Sequence, residues 1–147
     1  MFDHLTTARR SLRQFNEELD LDALSTIEAK AAIESLARVE KLAAGSRLRL
    51  LRKLAEDQAT VDWLAHETGQ TKGEAQRDVD AAHAVPEGSA TDDALRDGEL
   101  SADQAHEVAS GAAADPGAED GLLDSARKES MGRAQAQGQE GPGLGDR

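Results

Sequence analysis

Three repeated start signals constrain the fold of this chain more than any other feature. In each, a Ser or Thr is followed three residues later by Glu or Gln: Ser25 and Glu28, Thr71 and Glu74, Ser101 and Gln104. This spacing is that of the capping box, in which the first side chain accepts the third helical N–H and the last one reaches back to the cap. The pattern therefore predicts helices that begin at these three positions.

The supply of apolar side chains decides how such helices can pack. Leu, Ile, Val and Phe together number 26, whereas Ala alone contributes 27 residues, and there is one Trp and no Tyr. A β-sheet core needs β-branched and aromatic residues, so a sheet protein is nearly excluded. Close packing through Ala favours an all-α, Ala-rich domain of several helices. The lack of Cys excludes disulfides, a zinc ribbon and a cysteine nucleophile.

Apolar spacing predicts the first two helices. The first is expected over about 4–18, capped by Asp3, and its apolar positions are Leu5, Ala8, Leu12, Phe15 and Leu19. From Ser25 to about Asp57 the pattern predicts one long amphipathic helix, in which Gly45 permits a bend. The apolar face expected for this long helix comprises Ile33, Leu36, Val39, Ala43, Leu50 and Leu54.

Shorter helices, ended by Gly and Pro, are expected next. The predicted spans run from Thr60 to Gly69, from Thr71 to about Val85, from Ser89 or Thr91 to Arg96, from Ser101 to about Ala113, and from about Ala118 to Ser130. Residues 131–147 hold five of the 13 Gly and a single branched aliphatic residue, so a disordered C-terminal tail is predicted. The sequence thus predicts one helical domain over 1–130 and a tail over 131–147.

Charge is distributed unevenly along the chain. Residues 1–60 carry ten Lys or Arg and ten Asp or Glu, whereas residues 61–147 carry seven against nineteen, within a net charge of −12. An acidic surface repels phosphate, so the net charge disfavours nucleic acid as a partner. The chain has no charged start followed by an apolar run and no apolar stretch of membrane-spanning length, so we expect a cytoplasmic location and no membrane contact.

The segment 61–83 is typical of a helix-turn-helix corner. Gly69 supplies the turn, and the following helix presents Lys72, Gln76 and Arg77 as candidate nucleic-acid contacts. The same helix is expected to expose Glu74, Asp78 and Asp80, which oppose binding to duplex phosphate. The alternative interpretation is a corner that merely orders two helices.

The stretch 38–53 of the long helix is the most basic in the chain. Only Glu40 opposes its cations, which are Arg38, Lys41, Arg47, Arg49, Arg52 and Lys53. This face is a second candidate for contact with a phosphate backbone. The alternative is a solvated face that also packs against the acidic second half, which is the more usual role of helix charges.

Candidate catalytic and metal-binding groups are sparse. Each of three Asp–His pairs has the spacing of one helix face: Asp62 and His66, Asp80 and His83, Asp103 and His106. We interpret these pairs as chance in an Asp-rich chain and predict no metal and no cofactor. Gly-rich phosphate loops and nucleophile elbows are missing, so an enzyme is not expected.

The order of motifs from Trp63 to Ala105 resembles the actinobacterial domain of unknown function 222. The matching features are a Trp-Leu-Ala helix with its Gly turn at 63–69, a Gly-Glu-Ala helix opening at 73–75, and Leu-Ser-Ala-x-Gln-Ala at 100–105. The resemblance covers about residues 20–130. It implies a helical module that commonly forms the N-terminal part of proteins ending in an HNH endonuclease domain.

The chain also departs from that family. An HNH site places metal-binding and base-acting His around an Asn, whereas the only Asn here is Asn16, among four scattered His. We therefore expect a truncated, noncatalytic family member whose tail after Ser130 arose by frameshift or truncation. Its function would be to position or hold a protein partner, or to self-associate through the long helix. The alternative is a small DNA-binding protein that uses segment 61–83 or the basic face 38–53.

Overall fold

Seven α-helices and one 3-10 turn form the part of the chain described by the structure, a computed structural model: residues 1–139, with side chains up to residue 129. The helices are α1 (Phe2–Glu18), α2 (Thr26–Leu51), α3 (Gln58–Thr68), α4 (Lys72–Ala84), α5 (Ala90–Arg96), α6 (Ala102–Ala114) and α7 (Glu119–Gln139), and the 3-10 turn Pro116–Ala118 precedes α7. No strand occurs in these residues, so the all-α prediction is confirmed. Across the same residues, no helix combines the length and the apolar character needed to cross a bilayer.

The predicted start signals do cap helices. Thr71 and Ser101 form complete capping boxes at the starts of α4 and α6. Ser25 Oγ accepts the Glu28 N–H at 3.1 Å and donates to the Glu28 carboxylate at the start of α2. Gly69 ends α3 at φ +75°, a left-handed conformation that glycine adopts without steric cost.

Two internal boundaries differ from the prediction. α2 ends at Leu51 and not near Asp57, because the chain leaves the helix through a turn in which the Lys53 N–H bonds to the Leu50 carbonyl. Asp57, not Thr60, caps α3, and its carboxylate accepts the Thr60 N–H at 2.9 Å. The long helix is therefore six residues shorter than expected, since Asp57 is used to start the next one.

The first and last helices also differ from their predicted spans. α1 begins at Phe2, so Asp3 lies inside the first turn and does not cap it. α7 continues to Gln139, beyond the end expected near Ser130. Ala, Gln and Arg, which are good helix formers, dominate residues 133–137 and account for the longer backbone helix. The rest of the predicted tail, residues 140–147, lies outside the described residues.

The chain divides into two compact units, Met1–Leu36 and Ala37–Arg147, and α2 passes from the first into the second. The first unit contains α1 and the beginning of α2, and no residue in it is buried. Every buried side chain among the described residues therefore belongs to the second unit. The helical pattern of the sequence does not by itself indicate this division.

The core of the second unit is rich in alanine. Seven of the seventeen buried hydrophobic residues in the described part of the chain are Ala, and the largest fully buried side chains are Leu48, Leu95, Leu100, Leu123, Val61 and Val79. α4 and α6 both contribute to this core, with Ala75, Ala82 and Ala105 nearly inaccessible to solvent. The expectation that the helices pack closely through Ala is thus confirmed.

The buried face of α2 is not the one that its hydrophobic pattern predicts. Gly45, Leu48 and Leu51, spaced three residues apart, face the core, whereas Leu50 is 63% exposed and Ile33 is 64% exposed. Counting large apolar residues favoured the wrong side, because the buried side also carries arginines. Those arginines lie next to the core only because carboxylates of other helices neutralise them, as described below.

Gly45 lets α2 approach α5 closely. A Cβ at this position would lie 2.9 Å from the Leu95 carbonyl carbon and closer still to its oxygen. The atoms that this Cβ would meet belong to the backbone, and they cannot move away as the end of a flexible side chain could. α2 is continuous through Gly45, so this glycine serves close helix packing within the Ala37–Arg147 unit.

Replacement of Gly45 by Ala tests this packing. We expect Gly45→Ala to lower the free energy of unfolding by about 1–3 kcal/mol through overpacking, although helix propensity alone predicts a gain. Gly73→Ala in α4 is the matched control, because the nearest atom to its Cβ would be Thr71 Oγ1 at 3.9 Å, so a gain of up to about 1 kcal/mol is expected. Urea unfolding followed by circular dichroism measures both, and a gain in both variants would contradict the close approach of α2 to α5.

Candidate functional site

Half of the predicted basic face is occupied by the chain's own carboxylates. Arg52 Nη2 lies 2.6 Å from Asp92 Oδ1, and Arg49 Nε lies 3.5 Å from the same oxygen. Arg47 Nη2 lies 3.4 Å from Asp78 Oδ2. These five residues, which we call the Arg–Asp cluster, join the end of α2 to α4 and α5. The alternative of packing against the acidic second half therefore holds for these three arginines.

Local structure explains how Asp92 comes to lie in this cluster. Ser89 caps α5 by accepting the Asp92 N–H at 3.1 Å, which fixes the Asp92 backbone in the first turn. Asp92 is only 3% exposed, and its second carboxylate oxygen accepts the Gly88 N–H at 3.0 Å. Both oxygens of this carboxylate are therefore hydrogen-bonded, as burial of a charge requires.

Arg52 makes a second contact that joins a third element. Its Nε donates to the Ala82 carbonyl at 3.1 Å, in the last turn of α4. A cation near the carbonyl end of a helix is stabilised by the helix dipole. Since the Arg52 side chain is only 17% exposed, little of its charge remains available to an outside anion.

The electrostatics of Asp92 reflect two opposed effects. Burial raises the pKa of this carboxyl, but the hydrogen bonds from Arg52 and Gly88 and the charges of Arg52 and Arg49 outweigh burial and hold it below its ordinary value. The carboxylate is thus ionised at neutral pH and neutralises the cations beside it.

Asp78 corrects one of the sequence predictions. It was expected to be exposed on α4 and to repel phosphate, yet it is 5% exposed. Gln70 Nε2 donates to Asp78 Oδ2 at 3.0 Å, on the same oxygen that faces Arg47. Its position opposite a cation of α2 keeps it from acting as a surface charge.

The three candidates in the helix-turn-helix-like segment also have polar partners. Lys72 Nζ lies 3.5 Å from Asp62, Gln76 Nε2 donates to Asp80 at 2.8 Å, and an Arg77 nitrogen lies 3.5 Å from Asp103. The Lys72 and Arg77 pairs are solvent-exposed, and ion pairs in that setting contribute little to stability. They hold the side chains weakly and do not gather them into one surface.

The remaining candidates of the stretch 38–53 are Arg38 and Lys41 on α2 and Lys53 in the turn that follows it. Arg38 and Lys53 are exposed and Lys41 is half-buried, and none forms an ion pair within the described part of the chain. The predicted basic face is therefore divided into three arginines used inside the fold and three cations without an acidic partner.

The Asp–His pairs do not form a metal centre. Among residues with described side chains, no group of three or more His, Asp or Glu has the proximity needed to hold a metal ion. The Nε2 atom of His83 is enclosed and makes no hydrogen bond to any residue with a described side chain.

Asp92 and Asp78 are the important residues that sequence reasoning missed. The Ser89-x-x-Asp92 spacing does signal a helix start, and it correctly places Asp92 in a first turn. Nothing in this local signal indicates that the carboxylate faces an arginine 40 positions earlier in the chain.

Comparison with known proteins adds no family to this description. No protein-family model matches the chain, and neither the curated proteins nor the solved structures include one that matches it significantly. The resemblance to the domain of unknown function 222 therefore stays a prediction.

Removal of the Asp92 charge tests the role of the Arg–Asp cluster. We expect Asp92→Asn to lower the free energy of unfolding by about 1–3 kcal/mol at pH 7, because it leaves partly buried arginines without their charged partner. Asp93→Asn is the control, since Asp93 forms only an exposed pair with Arg96, and its effect should stay within about 0.5 kcal/mol. Equal effects in urea unfolding would show that Asp92 has no special structural role.

The stability difference between wild type and Asp92→Asn should also depend on pH. The pKa of Asp92 is lower in the folded chain, so its contribution to stability is present above the unfolded value of about 4 and is lost as the pH falls through the folded value. The stability difference between wild type and Asp92→Asn should therefore shrink below about pH 4. A difference that grows on acidification, in unfolding measured from pH 7 to pH 2, would contradict this assignment.

Proposed function

We propose that this protein is a noncatalytic helical interaction module, which holds or positions a protein partner and acts in the cytoplasm. The relation to the N-terminal region of HNH endonuclease-type proteins, which the sequence motifs suggest, supports this role. The observation that carries it is the first unit, Met1–Leu36, which exposes large apolar side chains and buries none.

The exposed apolar residues of this unit are numerous for so short a segment. They are Met1, Phe2, Leu5, Leu12, Phe15, Leu19, Leu21, Ile27 and Ile33, and we call them the apolar surface. Ordering a backbone costs about 1–2 kcal/mol per residue, which an unburied helix pair cannot recover by itself. Exposed apolar surface of this kind is typical of protein–protein interaction sites.

The internal use of Arg49, in α2, and of Arg52, in the turn after it, supports a protein partner over nucleic acid. Arg49 and Arg52 already share the Asp92 carboxylate, and releasing them for phosphate would break a part-buried hydrogen bond. Binding through the remaining side chains would also act against a net charge of −12.

The second candidate function is that of a small DNA-binding protein. The observation that favours it is that Arg38 and Lys53 are exposed, with no ion pair in the described part of the chain. With Lys41 they number three, and a protein that neutralises few phosphates binds DNA with a shallow dependence on salt.

A salt titration separates these two functions. For purified protein and a fluorescent 20-base-pair duplex at about 50 mM salt, we expect no saturable rise in anisotropy up to about 100 µM protein. The DNA-binding alternative predicts a rise that weakens as salt increases and is lost in the variant R38Q/K41Q/K53Q. Such a result would replace our proposal.

Capture of partners in the native cell tests the proposed function itself. We expect chemical cross-linking with wild-type protein to retain a specific protein, a second copy included, and the variant Ile27→Glu/Ile33→Glu to lose it. Leu50→Glu is the matched control, because Leu50 is equally exposed but lies outside the first unit. Retention of the same proteins by all three would show that the apolar surface is not an interaction site.

A further inference from the structure

A pocket of about 250 Å³ opens at the surface of the second unit, where α4, α5, α6 and α7 meet. Val85, Thr91 and Ala109 in its lining are buried, whereas Ala113 and Pro116 are exposed, so the pocket extends inward from the solvent. Its volume lies below the roughly 300–1,000 Å³ that is typical of pockets for drug-sized ligands. An occupant must therefore be a small molecule or a single side chain.

Most of the pocket wall is apolar. Of the nine described residues that line it, seven are alanine, valine or proline. Alanine side chains are single methyl groups, so the ends of α4 and α6 pack here without filling the space between them. A wall of this kind favours methylene groups over water, because their burial removes apolar surface from solvent.

Glu119 is the one ionisable residue among the described residues of this lining. Its Oε1 accepts the Thr91 N–H at 3.1 Å and the Thr91 hydroxyl at 2.7 Å, which fixes the carboxylate in place. Glu119 Oε2 has no hydrogen bond and no ion pair with a described residue. The position of Glu119 in the first turn of α7 also favours its negative charge. The pocket thus contains a fixed carboxylate with one oxygen left to accept a donor.

The sequence around the pocket favours a cation as that donor. Residues 78–95 and 97–126, which include nearly all of the pocket's described lining, contain no Lys or Arg and 13 Asp or Glu. Some of these carboxylates are neutralised by the arginines near the end of α2, but Glu119 is not. A surface of this charge attracts cations and repels anions.

We propose that this pocket binds a primary ammonium group on a short aliphatic stem, with the ammonium at Glu119 and the stem against the apolar wall. A compact ammonium suits the single free oxygen, whereas a guanidinium pairs best with two oxygens at once. The ligand is an alkylammonium ion, either free or as a lysine side chain of another protein. This inference is independent of the proposed function, because the pocket lies in the second unit and the apolar surface in the first.

Amide NMR of the full chain tests the pocket with n-butylammonium chloride at constant ionic strength. The signals of Thr91 and Ala112 should shift and saturate, with a dissociation constant in roughly the millimolar range. n-Butanol, which lacks the charge, and methylammonium, which lacks the stem, should each bind at least about fivefold more weakly. Nα-acetyl-lysine methylamide distinguishes the two sources. If it binds as well as n-butylammonium, the ligand is a protein lysine, and if it does not bind, the ligand is a free amine.

Three variants test the assigned contacts. Glu119→Gln keeps an oxygen for Thr91 but removes the charge, so it should weaken n-butylammonium at least about fivefold and leave n-butanol unchanged. Asp120→Asn is the matched control, because Asp120 is exposed and does not line the pocket, and it should bind as wild type does. Ala112→Leu should fill the pocket and abolish binding of both probes. Circular dichroism checks that each variant is folded.

The inference is overturned if n-butylammonium gives no saturable shift, or if n-butanol binds equally well. Equal affinities of Glu119→Gln and Asp120→Asn overturn it too, as does binding that persists in a folded Ala112→Leu variant. If Ala112→Leu does not fold, the comparison of the two probes and the two charge variants decides the matter.

Discussion

The Asp92 carboxylate, enclosed between Arg52, Arg49 and the Gly88 N–H, is the interaction on which the second unit depends. A buried charge is tolerated only when its hydrogen bonds are satisfied, and here both carboxylate oxygens have donors. Through Arg52, the same contact extends to the Ala82 carbonyl at the end of α4. The Asp92 carboxylate thus connects α2, α4 and α5. The alanine-rich core has few large side chains that could fix the orientation of α2, so this contact determines which side of α2 faces the core.

Local chemistry made most helix starts predictable. Thr71, Ser101 and Gly69 act on neighbours within four residues, so the caps and the stop follow from spacing alone. Long-range pairing could not be predicted in the same way. The burial of Leu48 in place of Leu50 depends on arginines that are acceptable near the core only beside Asp92, 40 residues from Arg52. Hydropathy scores those arginines as solvent-facing, which is why the predicted face of α2 was wrong.

The two units differ in which of their side chains are buried or paired. In the second unit, three of the arginines that suggested a nucleic-acid-binding face in the sequence form ion pairs between helices. In the first unit, apolar side chains whose spacing in the sequence is typical of a buried helix face are exposed. Each pattern was ambiguous alone, and only the spatial arrangement separates a structural role from a binding role. This separation is the physical basis for proposing a protein partner.

A double-mutant cycle between Arg52 and Asp92 tests most directly whether the arginines at the end of α2 and just after it stabilise the fold. Unfolding free energies of wild type, Arg52→Met, Asp92→Asn and the double variant give their coupling energy at pH 7. The double variant should lose about 1–3 kcal/mol less than the sum of the losses of the two single variants. The exposed pair Arg77 and Asp103, treated in the same way, should couple by less than about 1 kcal/mol. Additive effects would show that the contact between Arg52 and Asp92 contributes nothing to the stability of the fold.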